Sequence, residues 1–235
     1  MSHKEERRWY KWFYDQLHSH YYDLLMKWCW LPLGGEAKCR EELVSSIDFS
    51  PDGRILDMCC GTGTATFAIA RRAGKRNKII GMDLSSGQIR IAKRKNRYDN
   101  IEFTEGDAAG TGFTEGEFDK VFITHALHEM PRQSRFRVLV EAQRILKDKG
   151  ELVVLELDRP ENVFVRLFLG FWFLYWLPFN FETTTRRDML KHGLCGEVRE
   201  AGFGNVRKVS LRRGVLQIVK GEKRRPLGAF SLAKT

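Results

Sequence analysis

Asp57 and Asp83 end two short apolar runs, "RILDMCC" and "KIIGMDL", and the turn Gly61-Thr62-Gly63 lies between them. Glycines so placed let a chain leave a strand sharply, enter a helix and bring its backbone close to a ligand. A carboxylate about 20 residues further on, at the next strand end, can take both hydroxyls of a ribose. The pattern reads as a nucleoside site. The competing reading is a tight strand-to-helix turn that binds nothing.

Charge decides which nucleoside. A dinucleotide brings a pyrophosphate, which prefers a helix N-terminus bordered by glycines and free of acids. Here Thr66 occupies the third glycine position and Asp57 shortly precedes Gly61. An acid there suits a ligand with an ammonium and a sulfonium, so S-adenosylmethionine is the expected cofactor. Asp107, in "EGDA" after the third apolar run, is placed toward an adenine amino group. Methyl transfer is an in-line displacement that asks mainly for positioning and exclusion of water. A general base could take the proton that the acceptor sheds. His128 is the first candidate, because imidazole titrates near neutral pH and this one follows a strand end, where open sheets hold ligands. Glu129 and His125 are further candidates, and a histidine packed at a helix start is the alternative.

These residues need a scaffold of alternating elements. "GTATFAIARRAG" carries apolar residues at helical spacing and ends near Gly74, giving a strand-helix-strand unit with the runs on either side. Beyond it "SGQIRIAKRKNRY" reads as helix, "NIEFTEGDA" and "FDKVFITHAL" as strands, "RQSRFRVLVEAQRILKDKG" as helix and "ELVVLELD" as strand. "RRDMLKHGLCGEVREAGF" reads as one helix, and "VRKVSLRRGVLQIVKGEK" as two strands joined around Arg213-Gly214. The expected fold is α/β: a Rossmann-like, mostly parallel sheet of seven strands, helices on both faces, with an antiparallel C-terminal edge hairpin. The expected organisation is a helical arm over 1–50, a cofactor-binding core over 51–158, an aromatic insertion over 159–187, a closing helix and hairpin over 188–223 and a basic tail over 224–235.

Composition narrows the partners. Forty lysines and arginines against 30 acids give a formal charge of +10, which points to an anionic partner such as a membrane surface, a nucleic acid or a phosphorylated substrate. Five cysteines without C-x-x-C spacing argue for reduced thiols and against a zinc site, so no metal is expected. The charged, aromatic N-terminal region lacks the apolar segment of a signal peptide, and the expected location is the cytosol. Residues 167–181, "LFLGFWFLYWLPFNF", are uncharged and bounded by Arg166 and Glu182, too short for the roughly 20 residues that span a bilayer. All six tryptophans lie there or in the N-terminal arm. The stretch reads as a buried cap, an interfacial anchor flanked by Arg159, Arg166, Arg186 and Arg187, or the mouth of a tunnel for a lipid tail.

The motif series resembles the class I S-adenosylmethionine-dependent methyltransferases and, within them, the ubiquinone/menaquinone-biosynthesis C-methyltransferases. "ILDMCCGTGTAT", "GMDLSSGQI", "EGDA", "FDKVFITHALHEM" and "EAQRILKDKGELVVLELDRP" are similar to successive family motifs, and "EAGFGNVRKVSLRRGVLQIVKGEK" is similar to the closing helix and hairpin. The resemblance implies that Asp57, Gly61, Thr62, Gly63 and Thr66 lie about the methionine end, Asp83 and Leu84 at the ribose, Asp107 and Ala108 beside the adenine, and Thr124 against the cofactor after the fourth strand. It also implies that the aromatic segments converge on the acceptor, with Tyr14, Tyr22, His125, Trp172 and Trp176 lining it. Two departures bear on the substrate: Ala126-Leu127-His128-Glu129 replaces the Gly-x-Arg-Asn common in quinone methyltransferases, and "FETTTRR" replaces a tyrosine-leucine motif. The expected acceptor is a lipophilic small molecule, a ring carbon of a prenylated quinol or isoprenoid lipid, reached at an anionic membrane. Methylation of another lipid or small molecule at oxygen or nitrogen is the alternative, and an RNA-binding protein that keeps the cofactor as a ligand is the reading from another class.

Overall fold

The runs read as buried strands lie side by side at the centre of the protein. In the computed structural model, which describes residues 35–160, 162–167, 171 and 183–224, the strands are β1 (Arg54–Met58), β2 (Lys78–Asp83), β3 (Ile101–Glu105), β4 (Phe118–Thr124), β5 (Leu146–Leu157), β6 (Phe203–Leu211) and β7 (Leu216–Lys223). They form one seven-stranded sheet in the order β3-β2-β1-β4-β5-β7-β6. Neighbours from β3 to β5 are parallel, whereas β7 pairs antiparallel with both β5 and β6. This is the expected Rossmann-like sheet with its reversed edge hairpin.

Burial on both faces explains why the inner strands are unbroken apolar runs. Helices α1 (Glu36–Ser45), α2 (Thr64–Ala73) and α3 (Ser86–Lys95) cover one face, where Leu43, Ile69 and Ile89 share a core with Phe122, Val153 and Ile218. Helices α4 (Arg132–Ile145), α5 (Thr183–His192) and α6 (Leu194–Glu200) cover the other, packing Leu139, Met189 and Val198 against Leu56, Val121, Leu152 and Val219. From β1 the chain winds outward to β3 and then returns to β4 on the far side of β1. The crevice at that reversal, above the C-terminal strand ends, is where such sheets hold ligands.

Two expectations shift. The helix expected to run through Gly150 stops at Ile145, and the chain passes straight into β5, because fully buried Leu146 pairs with Phe118. Lys149 takes a left-handed φ of 64° and the register slips between Phe118 and Lys120, absorbing the abrupt change. The long C-terminal helix divides into α5 and α6 at Gly193, whose φ of 80° and bond from its N–H to the Met189 carbonyl (2.9 Å) end the first segment.

The excess charge has a definite place. Residues 71–97, spanning the ends of α2 and α3, contain ten basic side chains and one acid, so nine of the ten net positive charges lie there. Basic residues in the last turns of helices are favoured by the helix dipole, and all of these except Lys95 are exposed. Among the described residues no helix is long and apolar enough to cross a membrane. The N-terminal arm with Tyr14 and Tyr22, most of the aromatic stretch with Trp172 and Trp176, and the tail beyond residue 224 lie outside the described residues. Part of the insertion is described: residues 163–167 are helical, and Val163, Phe164, Leu167 and Phe171 are exposed, Phe164 by 82%.

Candidate active site

The turn after β1 is held open by backbone ties to the neighbouring strand end. Cys60 N–H donates to the Met82 carbonyl (2.9 Å) and Gly63 N–H to the Cys60 carbonyl (3.0 Å). Asp83 fixes the top of the turn: its Oδ2 accepts from Gly61 N–H (2.8 Å) and its Oδ1 from Ser85 N–H (2.9 Å). Ser85 in turn caps α3, its hydroxyl accepting from Gln88 N–H (3.2 Å). Each carboxylate oxygen has a second lone pair, so a carboxylate pinned in this way can still receive ligand hydroxyls.

The two glycines of the turn do different work. Gly61 has φ 56°, and a Cβ there would enter open space. Its missing side chain therefore leaves room for a ligand. Gly63 has φ 82°, and a Cβ there would lie 2.8 Å from the Phe103 ring, so this glycine serves the packing of α2 on β3.

Two adjoining cavities open above the strand ends. One encloses about 690 Å³ with its mouth included, and its lining includes Met82, Leu84, Gly106, Asp107, Ala108 and Met130. The other encloses about 520 Å³, with Arg40, Gly61, Thr62, Gln88, Thr124 and His125 in its wall. Cys59, Asp83 and Glu129 belong to both, so the two form one continuous cleft.

Electrostatics select the guest. Asp83, Asp107 and Glu129 line the cleft, and among the described lining residues Arg40 is the sole lysine or arginine. Such a wall repels a pyrophosphate and attracts a cation. A polar side chain of the wall points the same way: Gln88 Oε1 has no hydrogen-bond partner among the described residues. A ligand carrying hydroxyls, an ammonium and a sulfonium meets these demands, and S-adenosylmethionine fits the residues present.

Several site residues stand elsewhere than the sequence suggests. Asp57 is fully buried beneath the turn and lines neither cavity; its Oδ2 accepts the Thr66 hydroxyl (2.6 Å). Burial pushes its carboxyl up to about 6, against the lowering pull of that bond. Thr66 is likewise buried beneath the turn rather than in the wall, and Gly63 packs against Phe103. His128 also lines neither cavity. The 3-10 turn Leu127–Glu129 sends Glu129 into the cleft and turns His128 back toward β5. His125, in a left-handed conformation (φ 51°) with its N–H bonded to the Leu155 carbonyl (2.9 Å), supplies the imidazole in the wall of the second cavity.

Glu156 is the residue that sequence reasoning missed. It is fully buried, its Oε1 lies 2.7 Å from His128 Nδ1 and 3.8 Å from His125 Nδ1, and its Oε2 accepts the N–H groups of Leu127 (2.9 Å) and His128 (3.2 Å). Burial alone would raise its pKa, but the neighbouring imidazoles of His128 and His125 hold it well below the carboxylate range. The signal was present in "LVVLELD": Glu156 shares a strand face with Leu152 and Val154, an acid at an apolar position. Arg40, Gln88 and Met130 were also missed, because their approach depends on packing between distant segments.

Comparison with known proteins gives the family. Residues 55–150 match the family model described as a methyltransferase domain. An uncharacterised methyltransferase of Synechocystis is 29% identical over 85% of this chain and 89% of its own. The demethylmenaquinone methyltransferase of Bacillus subtilis is 30% identical over 76% of this chain and 82% of its own. A solved S-adenosylmethionine-dependent methyltransferase from Aquifex aeolicus superposes with a TM-score of 0.58 at 15% identity, over 78% of this chain and 89% of its own. The chain belongs to the class I S-adenosylmethionine-dependent methyltransferases and is an enzyme of methyl transfer.

Proposed function

We propose that this methyltransferase acts on a lipophilic acceptor, a ring carbon of a prenylated quinol or related isoprenoid lipid. The observation that carries the reading is the similarity to the Bacillus subtilis demethylmenaquinone methyltransferase, which extends over 195 residues and so beyond the cofactor-binding motifs. Asp83, Leu84, Asp107 and Ala108 would hold the adenosine, Gly61, Thr62, Gln88 and Thr124 the methionine portion, and His125 and Glu129 would meet the acceptor. Bound S-adenosylmethionine supplies an electrophilic methyl group and leaves as a neutral thioether. The chain's own part is to place the acceptor carbon behind that methyl, exclude water and receive the proton that the ring sheds.

Membrane contact forms part of the proposal. Exposed Val163, Phe164, Leu167 and Phe171, with exposed Arg166 among them, form an apolar surface edged by positive charge. Such a surface suits an anionic bilayer, each nearby basic residue contributing about 1 kcal/mol. The larger basic area on α2 and α3 gives no support to this docking, because it lies toward the helix ends remote from the cleft. The protein thus reaches its substrate as a peripheral enzyme of the cytosolic surface.

Purified protein is incubated with methyl-labelled cofactor and separately supplied demethylated quinol, phospholipid and bulk RNA. Label in the quinol fraction, with sedimentation on anionic vesicles, is the expected result. Label confined to phospholipid or RNA overturns the quinol reading.

A further inference from the structure

Many cations on this protein stand against acids: Arg54 meets Glu117 (2.6 Å), Lys120 meets Glu151 (2.8 Å), Arg132 meets Glu200 (2.9 Å) and Lys208 meets Asp158 (2.6 Å). At the C-terminal ends of α2 and α3 that pairing stops. Arg71, Arg72, Lys75, Lys78, Lys93 and Arg94 are exposed, and their side chains make no ion pair or hydrogen bond among the described residues. Beside them Arg97 donates to the carbonyls of Arg94 (3.1 Å) and Asn96 (3.0 Å), and Arg76 reaches Asp52 at 3.3 Å. The helix dipole favours cations in a last turn, which accounts for Arg71, Arg72, Lys93 and Arg94 but not for Lys75, Lys78 and Arg97 beyond the helices. Like charges so gathered repel one another, and the fold alone gains nothing from them.

The two helix ends form one surface. Asn100 Nδ2 joins them, donating to the carbonyls of Gly74 (3.2 Å) and Asn77 (2.8 Å), and Phe67 of α2 stacks on Tyr98 with ring centroids 6.2 Å apart. Asn77 Nδ2 donates to the Ala73 carbonyl (2.7 Å) and Asn96 N–H to that of Ala92 (3.0 Å). Carbonyl groups that helices leave at their C-termini are thus satisfied within the protein, and the cations face solvent on a braced platform. Exposed Asp52, beside Arg76, and exposed Asp99 and Glu102, at the β3 edge, border it.

We propose that this surface docks a nucleic acid through its sugar-phosphate backbone. More than half of its cations are arginines, whose planar fork matches a phosphate. No large apolar side chain is exposed among residues 71–97. Protein partners draw affinity from buried apolar and aromatic anchors, which this surface lacks, whereas contacts to phosphate alone sustain binding to a nucleic acid. Position argues against a bilayer. Lys78 opens β2 and Asp83 closes it in the cleft wall, so the cations lie about 16 Å from the cleft along the strand. Exposed Val163, Phe164, Leu167 and Phe171 follow the cleft end of β5, and a bilayer against them would not reach the opposite end of the sheet. The docking is independent of which acceptor is methylated.

Fluorescence anisotropy of the whole protein with a short single-stranded RNA and with a DNA duplex tests it. For about five phosphates contacted, affinity for the RNA should fall about 100-fold between about 50 and 200 mM salt, a logarithmic slope near −3.5. Arg72→Gln, Lys75→Gln and Arg94→Gln together remove no ion pair or side-chain hydrogen bond. They should weaken binding at least tenfold at the lower salt and flatten the slope by about 2. The same loss of charge at exposed Arg137, Lys191 and Arg207 should leave binding within about threefold. Saturating S-adenosylhomocysteine should not compete, and its own affinity should be equal in wild type and both variants. Absence of binding to both nucleic acids at the lower salt, equal losses in the two triple variants, or competition by S-adenosylhomocysteine overturns the proposal. So does binding of phosphatidylserine vesicles or polyglutamate that depends on Arg72, Lys75 and Arg94 when RNA binding does not.

Discussion

The two ends of the cleft are built on different plans. The adenosine end rests largely on strand termini, Asp83 and Leu84 at the end of β2 and Gly106, Asp107 and Ala108 after β3, with Met130, Ser134 and Val138 closing it from the start of α4. The methionine end draws Arg40 from α1, Thr124 and His125 from β4, Gln88 from α3 and, behind them, Glu156 from β5. A strand end and the turn after it can be read locally, so the first plan tolerates change elsewhere in the chain. The second depends on the register of β4 against β5 and on how α1 packs, which makes it the place where substrate preference can diverge while the cofactor stays the same.

The sharpest test of the adenosine end is Asp83→Ala. Two hydrogen bonds to a charged acceptor, at about 1.5–3 kcal/mol each, are lost along with the anchor of Gly61 and Ser85. Calorimetry with S-adenosylhomocysteine should register a loss of affinity of at least 100-fold. A loss under tenfold would mean that the local plan does not hold the nucleoside.

Next in size is Arg135, which supports that end from behind. It is fully buried, binds Glu197 through two nitrogens (2.8 and 2.6 Å), Asp188 (2.7 Å) and the carbonyl of Met130 (2.7 Å), whose side chain lines the cleft. Arg135→Met leaves Glu197 buried without its cation, and urea unfolding should show a loss of about 3–5 kcal/mol. Stability within 1 kcal/mol of wild type would show that the cluster relaxes and the wall is held by apolar packing.

The paired glycines separate stability from binding. Gly63→Ala meets both a left-handed φ and the Phe103 ring, and should cost about 1–3 kcal/mol of stability. Gly61→Ala meets the strain alone, about 1–2 kcal/mol, but places a methyl in ligand space, so its larger effect should appear as weakened S-adenosylhomocysteine binding. Equal effects of both substitutions on stability and binding would erase the distinction between them.

The same contrast governs what was legible in the sequence. The sheet, its order of helices and the reversed hairpin follow from apolar runs, glycine stops and alternation, all local signals. Misjudged boundaries fell where long-range contact overrides propensity: Leu146 is drawn into the sheet by Phe118, and Gly193 breaks what the periodicity alone leaves continuous. At the site, Asp83, Leu84, Asp107, Ala108, Gly61, Thr62 and Thr124 line the cleft as their positions after strands suggest. His125 rather than His128 lines the cleft because the bonds from Leu127 and His128 N–H to Glu156, with His128 Nδ1 against the same carboxylate, hold His128 back toward β5. Nothing in the spacing of "THALHE" reveals which imidazole will face inward.

Asp57 offers the finest discrimination, since it is the acid nearest the cofactor turn that does not line the cleft. Its folded pKa of about 6 lies above the ordinary 3.8 because burial penalises the charge. The ligand-free protein therefore holds a proton there that the unfolded chain has released, and this group's contribution to stability falls as pH rises from about 4 through 6 and is constant above. If the ammonium of the cofactor is felt through the floor of the turn, binding should favour the ionised form, release a proton between pH 5 and 6, and strengthen as pH rises through that interval. Calorimetry in buffers of different ionisation enthalpy measures that release directly. Asp57→Asn, which keeps an acceptor for the Thr66 hydroxyl, should abolish the proton release and weaken S-adenosylhomocysteine binding at pH 8 by less than tenfold, about 1 kcal/mol. Unchanged proton release in the variant would locate the titrating group elsewhere, and a loss as large as that of Asp83→Ala would place Asp57 in the cleft itself.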